Sequence, residues 1–274
     1  MVKKKHVNDP PCDKEPVSIS IGDHDEDLFE EQHVHRIYED ISVHFSHTRY
    51  GPWKNVVRLI NEAPTNSFIL DVGCGNGKYL NSRRDCFFLG IDVCSALLQI
   101  CSEKGKTDLL LSNNLRLGIR DNLADLTLSI AVIHHVSSVK RRLEAVWELI
   151  RCTRPKGKIL IYVWSFEQDK NYIGYREFKS QDVLVPWNLQ SVYTNTTPST
   201  PGDSSTTGVG GNEFINTSMG VKDVKGVKGV ESYGRYYHVF TREEVDYICD
   251  HFKDHVESTV GSDCNNWVIE MTKH

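Results

Sequence analysis

The chain has no C-x-x-C pair, no tandem repeat and no run approaching the roughly 18 apolar residues that cross a bilayer. Its eight cysteines, at 12, 74, 86, 94, 101, 152, 249 and 264, are scattered, several inside apolar runs where a free thiol acts as a small hydrophobe. Neither a disulfide framework nor a zinc site is expected, and no metal is called for. The N-terminus, MVKKKHVNDPPCDKEP, has basic residues with no apolar stretch behind them, unlike a secretory signal. These absences point to a cytoplasmic chain, with a nuclear pool left open. Excess positive charge is missing too: the net charge is −5, so a nucleic-acid partner would have to be held by a local basic patch or with help from another subunit.

What is present suffices for one sizeable core, since 39% of the 274 residues are hydrophobic. Residues 1–27 mix Lys, Asp, Pro and Ser with few large apolar residues and read as an unstructured leader ahead of a single domain over 28–274. From Leu28 the spacing turns helical, with Phe29, His33, Ile37, Ile41 and Phe45 recurring every fourth residue. Pro52 starts a second helix through Trp53, Val56, Val57 and Ile60. After Pro64, the short apolar runs FILDV, CFFLGID, TDLLLS, LTLSIAVI and KILIYVW alternate with stretches of helical length. That alternation predicts parallel βαβ units in an α/β, Rossmann-like, doubly wound sheet. From about 191 to 231 the composition shifts to Thr, Ser, Gly, Pro and Asn and reads as a flexible insertion. A helix capped by Thr241 then precedes HVESTV and NWVIEMT, which could close the sheet as an antiparallel hairpin.

The stretch most suggestive of chemistry is FILDVGCGNGKY, residues 68–79. A P-loop needs four residues between its first glycine and Gly-Lys-Ser/Thr; here Gly77-Lys78 is followed by Tyr79 and the spacing is short. The dinucleotide fingerprint G-x-G-x-x-G also fails, because Gly73, Gly75 and Gly77 give G-x-G-x-G. S-adenosylmethionine fits this spacing better, having no pyrophosphate to dock and a methionine portion that must lie on bare backbone. Asp71 at the first strand tip is placed for the methionine ammonium, and Asp92 at the end of the second for the ribose hydroxyls. At the end of the third, Asn113 and Asn114 could read the adenine edge. Ordinary helix capping by the two aspartates, or a tight turn without ligand, is the plainer alternative.

With EQHVHRIYEDISVHFSHTRYGPW, LDVGCGNGKYL, SIAVIHHVS, IYVWSFEQ, QDVLVPWN and RYYHVF in view, the chain resembles a known family. These are the class I methyltransferases that esterify carboxymethyluridine at the tRNA wobble position to 5-methoxycarbonylmethyluridine. The resemblance runs over about 30–190 and 233–271, and it implies S-adenosylmethionine contacts at Asp71, Gly73, Gly75 and Asp92. It further implies a tRNA substrate and a small zinc-binding activator subunit. Two departures stand out: Asn113-Asn114 replaces the usual Asp-Asn, and Leu117-Gly118-Ile119 lacks the proline common there. Two other readings follow from these: a methyltransferase on a small-molecule carboxylate or hydroxyl, and a non-catalytic member acting as a regulator.

A carboxylate nucleophile, with an ordinary pKa near about 4, needs no general base at pH 7. The site must instead supply alignment, donors for one carboxylate oxygen and aromatic surface for an exposed base. Candidates for substrate positioning are Arg49 in HTRY, His134 at the fourth strand end, and Arg235 and His238 in RYYHVF. If His134 and His135 continue a strand they point to opposite faces, so one of the two is expected to meet the substrate. Tyr162, Trp164 and Trp187 read equally as substrate wall or as packing. Tyr38 and Phe45 read as core. The cations Lys140-Arg141-Arg142, Arg151, Arg154, Lys156 and Lys158 read as a solvated face.

Overall fold

The computed structural model describes residues 15–22, 25–48, 51–106, 108–172, 174–189 and 231–274. Arg49 and all of the expected insertion before residue 231, apart from its sequence, lie outside these. The strands are β1 (Val17–Ser18), β2 (Phe68–Val72), β3 (Phe87–Asp92), β4 (Leu109–Leu111), β5 (Ala124–Ile130), β6 (Thr153–Trp164), β7 (Asp182–Leu189), β8 (Glu231–His238), β9 (Val256–Asp263) and β10 (Asn266–Lys273). The helices are α1 (Glu26–Glu30), α2 (Arg36–Thr48), α3 (Lys54–Glu62), α4 (Ser95–Glu103), α5 (Val139–Cys152) and α6 (Arg242–His251).

Seven strands form the main sheet in the order β4-β3-β2-β5-β6-β10-β9. The first five are mutually parallel, and β10 runs antiparallel to both β6 and β9. The expected fold class and C-terminal hairpin are therefore both present. The hairpin turns at Cys264 and Asn265, whose φ values of 48° and 61° suit a tight two-residue connection. Strand order reverses between β2 and β5, and in open parallel sheets a ligand binds beyond the strand ends at such a crevice.

Alternating side chains on the central strands go to opposite faces, as a sheet covered on both sides demands. Ile159, Ile161 and Val163 pack with Val146, Leu149 and Ile150 of α5 and Val245 and Ile248 of α6. Leu160 and Tyr162 join Val56, Leu59 and Ile60 of α3 and Leu98 and Cys101 of α4 on the other side. Truncating a residue such as Leu128, fully buried at 0% exposure, is expected to cost about 2–5 kcal/mol. Helix α6 starts with a capping box: the Thr241 side chain accepts from the Glu244 N–H, and the Glu244 carboxylate accepts from the Thr241 N–H.

Three features depart from the sequence reading. Within the stretch read as a leader, Val17–Ser18 pair with Leu184 and Val183 of β7. The N-terminal helical pattern is interrupted between α1 and α2 by a π-helical turn, Glu31–His35. Finally, QDVLVPWN and RYYHVF pair with each other: β7 and β8 run antiparallel with Asp182 opposite His238 and Trp187 opposite Tyr233, giving a second sheet ordered β1-β7-β8. Backbone bonds from Phe240 N to Trp164 O at 2.9 Å and from Phe166 N to Phe240 O at 2.8 Å tie this sheet to the end of β6.

Candidate functional site

A cavity opens at the strand-order reversal, lined by the glycine loop, the π-helical turn, α2, the segment after β5 and the end of β6. The loop leaves β2 through Gly73, whose φ of +76° is strained for any other residue; a Cβ there would also collide with the Val132 side chain. The next turn is held from β3, where Asp92 Oδ2 accepts from Gly75 N at 2.8 Å and Oδ1 accepts from Cys94 N at 2.9 Å. Withdrawal from water raises the Asp92 pKa, and the backbone donors of Cys94 and Gly75 pull it back. Asp92 thus shapes the loop as well as facing the cavity.

Asp71 is 1% exposed, and among the described residues its Oδ2 has no hydrogen-bond partner. Burial, then the neighbouring Asp92 charge, pushes its pKa up to about 7, with Lys78 opposing. A buried carboxylate with an oxygen left over, beside a loop that admits no side chain, fits a cationic group lying on bare backbone. Asn114 and Ser112 line the same cavity from the end of β4. Asn113 does not line it. Its Oδ1 accepts from Leu115 N at 2.9 Å and so shapes its own turn, correcting the expectation that Asn113 meets the cofactor. The unusual Leu117-Gly118-Ile119 stretch is held from α5: Leu117 N donates to Glu148, and Arg151 donates to the carbonyls of Ile119 and Leu117.

The two histidines depart from the expected strand geometry. Ala131 has a φ of 62°, which ends β5, and Ile133–His135 form a 3₁₀ turn. Both His134 and His135 therefore line the cavity instead of pointing to opposite faces. Their Nδ1 atoms take opposite hydrogen-bonding roles. His134 Nδ1 accepts from Trp164 N at 3.3 Å, which leaves the proton on Nε2. His135 Nδ1 donates to the Tyr236 carbonyl at 2.8 Å, and its Nε2 shares a hydrogen bond with the Tyr38 hydroxyl at 3.0 Å.

Trp164 and Tyr237 complete this wall, stacked with ring centroids 4.3 Å apart and 18° between planes. Tyr162, two residues earlier, is core: it is fully buried, and its hydroxyl donates to Asp263 and accepts from Asn55. Tyr38 and Phe45, expected in the core, line the cavity. Neither could be placed from helical spacing alone, because α2 packs one stripe on protein and turns another to the cavity.

Arg235 and His238 are not among the lining residues. Arg235 is 3% exposed, lies 4.4 Å over the Trp187 ring and donates to the Tyr38 hydroxyl at 3.3 Å, so it stands behind the wall. His238 is 4% exposed and bridges Asp182 at 2.8 Å and Glu244 at 3.0 Å, where it binds the second sheet to α6. Its expected substrate contact is corrected to a structural one. Trp187 donates to His44 Nδ1 at 3.2 Å and packs against α2.

Arg141 and Arg142 are buried, not solvated. Arg141 meets Glu30 through Nε at 2.9 Å and Nη2 at 2.7 Å, and the same carboxylate accepts from Ser137 N and Oγ. Glu30 also lines the cavity, so the network fastens α1 beside the histidine turn. Nothing in the local sequence marks Glu30 for this role, since its partners are more than a hundred residues away. Among the described residues no helix is long and apolar enough to cross a membrane, and no cluster of side chains suits a metal ion.

Comparison with known proteins agrees with this geometry. A family described as "Methyltransferase domain" matches residues 70–161. The chain is 35% identical over 254 residues to a Schizosaccharomyces pombe protein named tRNA (carboxymethyluridine(34)-5-O)-methyltransferase, covering 90% of this chain and 98% of that one. A Xenopus tropicalis protein of the same activity name is 32% identical over 293 residues, covering 95% of this chain and 44% of that one. Among solved structures, a SAM-dependent methyltransferase from Methanosarcina mazei superposes with a TM-score of 0.53 at 16% identity, covering 82% of this chain and 99% of that chain. At that identity the likeness speaks for the fold.

Proposed function

Because the chain belongs to the tRNA (carboxymethyluridine(34)-5-O)-methyltransferase family, we propose that it methylates the carboxylate of 5-carboxymethyluridine at the tRNA wobble position, giving the methyl ester. The observation that carries this reading is the junction of two surfaces in one cavity. The buried Asp71 and bare Gly73 backbone meet a wall of His134, His135, Trp164 and Tyr237. The first suits a sulfonium cofactor. The second suits a flat base carrying an anion.

S-adenosylmethionine, when bound, supplies an electrophilic methyl group. Asp71, Gly73, Gly75, Asp92, Ser112 and Asn114 are the residues that would hold it. The substrate carboxylate is ionised at neutral pH, so the protein is not asked to remove a proton. Its work is alignment and exclusion of water, for which effective molarities of well-oriented groups set the scale. His134, which lines the cavity beside Trp164 and Tyr237, is the residue we assign to one carboxylate oxygen. Trp164 and Tyr237 offer the aromatic surface that an unstacked base requires. Arg235 acts indirectly, orienting Tyr38, which fixes the His135 ring.

A non-catalytic role is disfavoured because the Asn113 departure falls outside the cavity. A small zinc-binding activator is the partner we expect from the resemblance. The three-residue edge strand β4, on which Leu111 is 59% exposed, supports that reading as an edge on which a partner strand could pair. The function is tested by mass spectrometry of tRNA nucleosides from cells lacking this chain. Accumulated carboxymethyluridine or its amide supports the reading, and an unchanged nucleoside profile removes it.

A further inference from the structure

The aromatic wall does not end at the cavity. Trp164, stacked on Tyr237 inside, carries the Arg176 guanidinium 5.5 Å from its ring centroid, outside the set of lining residues. Arg176 belongs to the connection between β6 and β7, which also places Lys170 Nζ 5.7 Å from the Tyr175 ring centroid and leaves Tyr172 46% exposed. From the cavity outward, Tyr237, Trp164 and Arg176 form a series of flat surfaces, and the connection that supplies Arg176 also bears the Tyr175–Lys170 pair and Tyr172.

This connection is fastened in place. Asp169 N donates to Asn265 Oδ1 at 2.8 Å, and Asn265 Nδ2 donates back to the Asp169 carbonyl at 3.2 Å. Asn265 is itself set by the left-handed turn of the β9–β10 hairpin. Arg176 N donates to Gln168 Oε1 at 2.9 Å, and Gln168 Nε2 donates to the Ser165 carbonyl at 3.3 Å. A surface aromatic on a segment held this way gives up little entropy when something stacks on it.

The charges identify the occupant. The segment's cations, Lys170, Arg176 and Lys179, are matched by Glu167, Asp169 and Glu177. It is therefore a poor magnet for duplex phosphates, whose binding needs excess positive charge. Exposed tyrosine, cation-backed tyrosine and a planar guanidinium are instead the surfaces on which unstacked bases settle. Building on the proposed activity, we infer that the connection between β6 and β7, through Tyr172, Tyr175 and Lys170, is a stacking platform for anticodon-loop nucleotides flanking the methylated base.

The test uses the full chain together with a zinc-binding activator, saturating cofactor and two substrates that carry 5-carboxymethyluridine, whole tRNA and an isolated anticodon stem-loop. The substitutions are Tyr172→Ala and Lys170→Ala, with Tyr247→Ala as control, a tyrosine 52% exposed on α6. Loss of one stacked base raises KM for both RNAs about tenfold with Tyr172→Ala, leaves kcat within about twofold, and leaves cofactor affinity unchanged. Tyr247→Ala changes none of these. Because the contact is stacking, the slope of log KM against log salt stays as in the parent protein. An unchanged KM in both variants overturns the platform while leaving the activity standing. A KM effect on whole tRNA that is absent on the stem-loop overturns the assignment to the anticodon loop. A parent protein that methylates neither RNA removes the proposed activity, and the platform with it.

Discussion

Asp71 and Asp92 end neighbouring parallel strands beside one glycine loop and spend their oxygens differently. Asp92 accepts from Gly75 and Cys94 backbone N–H groups through both oxygens, whereas Asp71 Oδ2 has no partner among the described residues. One carboxylate builds the loop, and the other is left for a cation. Their mutual repulsion, added to burial, raises the Asp71 pKa to about 7.

That pKa makes cofactor binding pH-dependent. Below pH 7 the free protein carries Asp71 protonated, and a cationic ammonium favours the ionised form. Affinity for S-adenosylmethionine should rise as pH increases through about 7, with proton release on binding at lower pH. Titration calorimetry in two buffers of different ionisation enthalpy measures the release. Asp71→Asn should abolish both the release and most of the affinity.

The same group predicts a stability change in the cofactor-free protein. Its folded pKa lies above the unfolded carboxylate value, so its stabilising contribution is complete below about pH 4 and lost as pH rises through about 7. The loss is on the order of 4 kcal/mol at most. Asp71→Asn should melt higher than the parent above pH 7, and the gap should close at low pH. Thermal unfolding across that range checks the sign.

Gly73 and Gly105 share a φ of +76°, but only Gly73 faces a neighbour where a Cβ would be. Gly105→Ala should cost about 1 kcal/mol of backbone strain and leave cofactor binding intact. Gly73→Ala should displace Val132, the residue that leads into the histidine turn, and lower cofactor affinity by more than tenfold. Denaturant unfolding and a binding isotherm separate the two effects.

Glu30 is 3% exposed and Arg141 is 8% exposed, so removing Arg141 strands the Glu30 carboxylate, and removing Glu30 leaves Arg141 only the exposed Asp27 at 2.7 Å. Arg141→Ala is expected to cost about 3–5 kcal/mol, and Glu30→Ala less, because Arg141 keeps Asp27. Replacing both by apolar residues of similar volume should recover much of that stability. A double-mutant cycle by urea denaturation gives the coupling energy.

Much of the parallel sheet could be read from the chain because four of its five apolar runs, KILIYVW excepted, end at a glycine, an acid or a polar pair at the strand tip. Asp71, Gly73, Gly75, Asp92 and Asn114 were legible for the same reason: a local strand-to-helix turn places them. The second sheet was not. Its β7 contains Pro186, and its partner β8 lies beyond a long insertion, so neither strand shows its neighbour in local spacing. His238 was misread because Asp182 and Glu244, which claim both of its ring nitrogens, arrive from two other elements. The relation of His134 to His135 turned on a single residue, Ala131, whose positive φ no apolar pattern announces.

The most direct measurement is transfer of isotope-labelled methyl from S-adenosylmethionine to tRNA containing 5-carboxymethyluridine, using the full chain together with a zinc-binding activator, followed by nucleoside mass spectrometry. The predicted product is labelled 5-methoxycarbonylmethyluridine, from which mild alkali releases the label as methanol and leaves unlabelled carboxymethyluridine, and its yield should fall sharply with Trp164→Ala. Label on any other nucleoside, or none on RNA while the cofactor remains bound, would contradict the assignment of the cavity wall to an anionic wobble base.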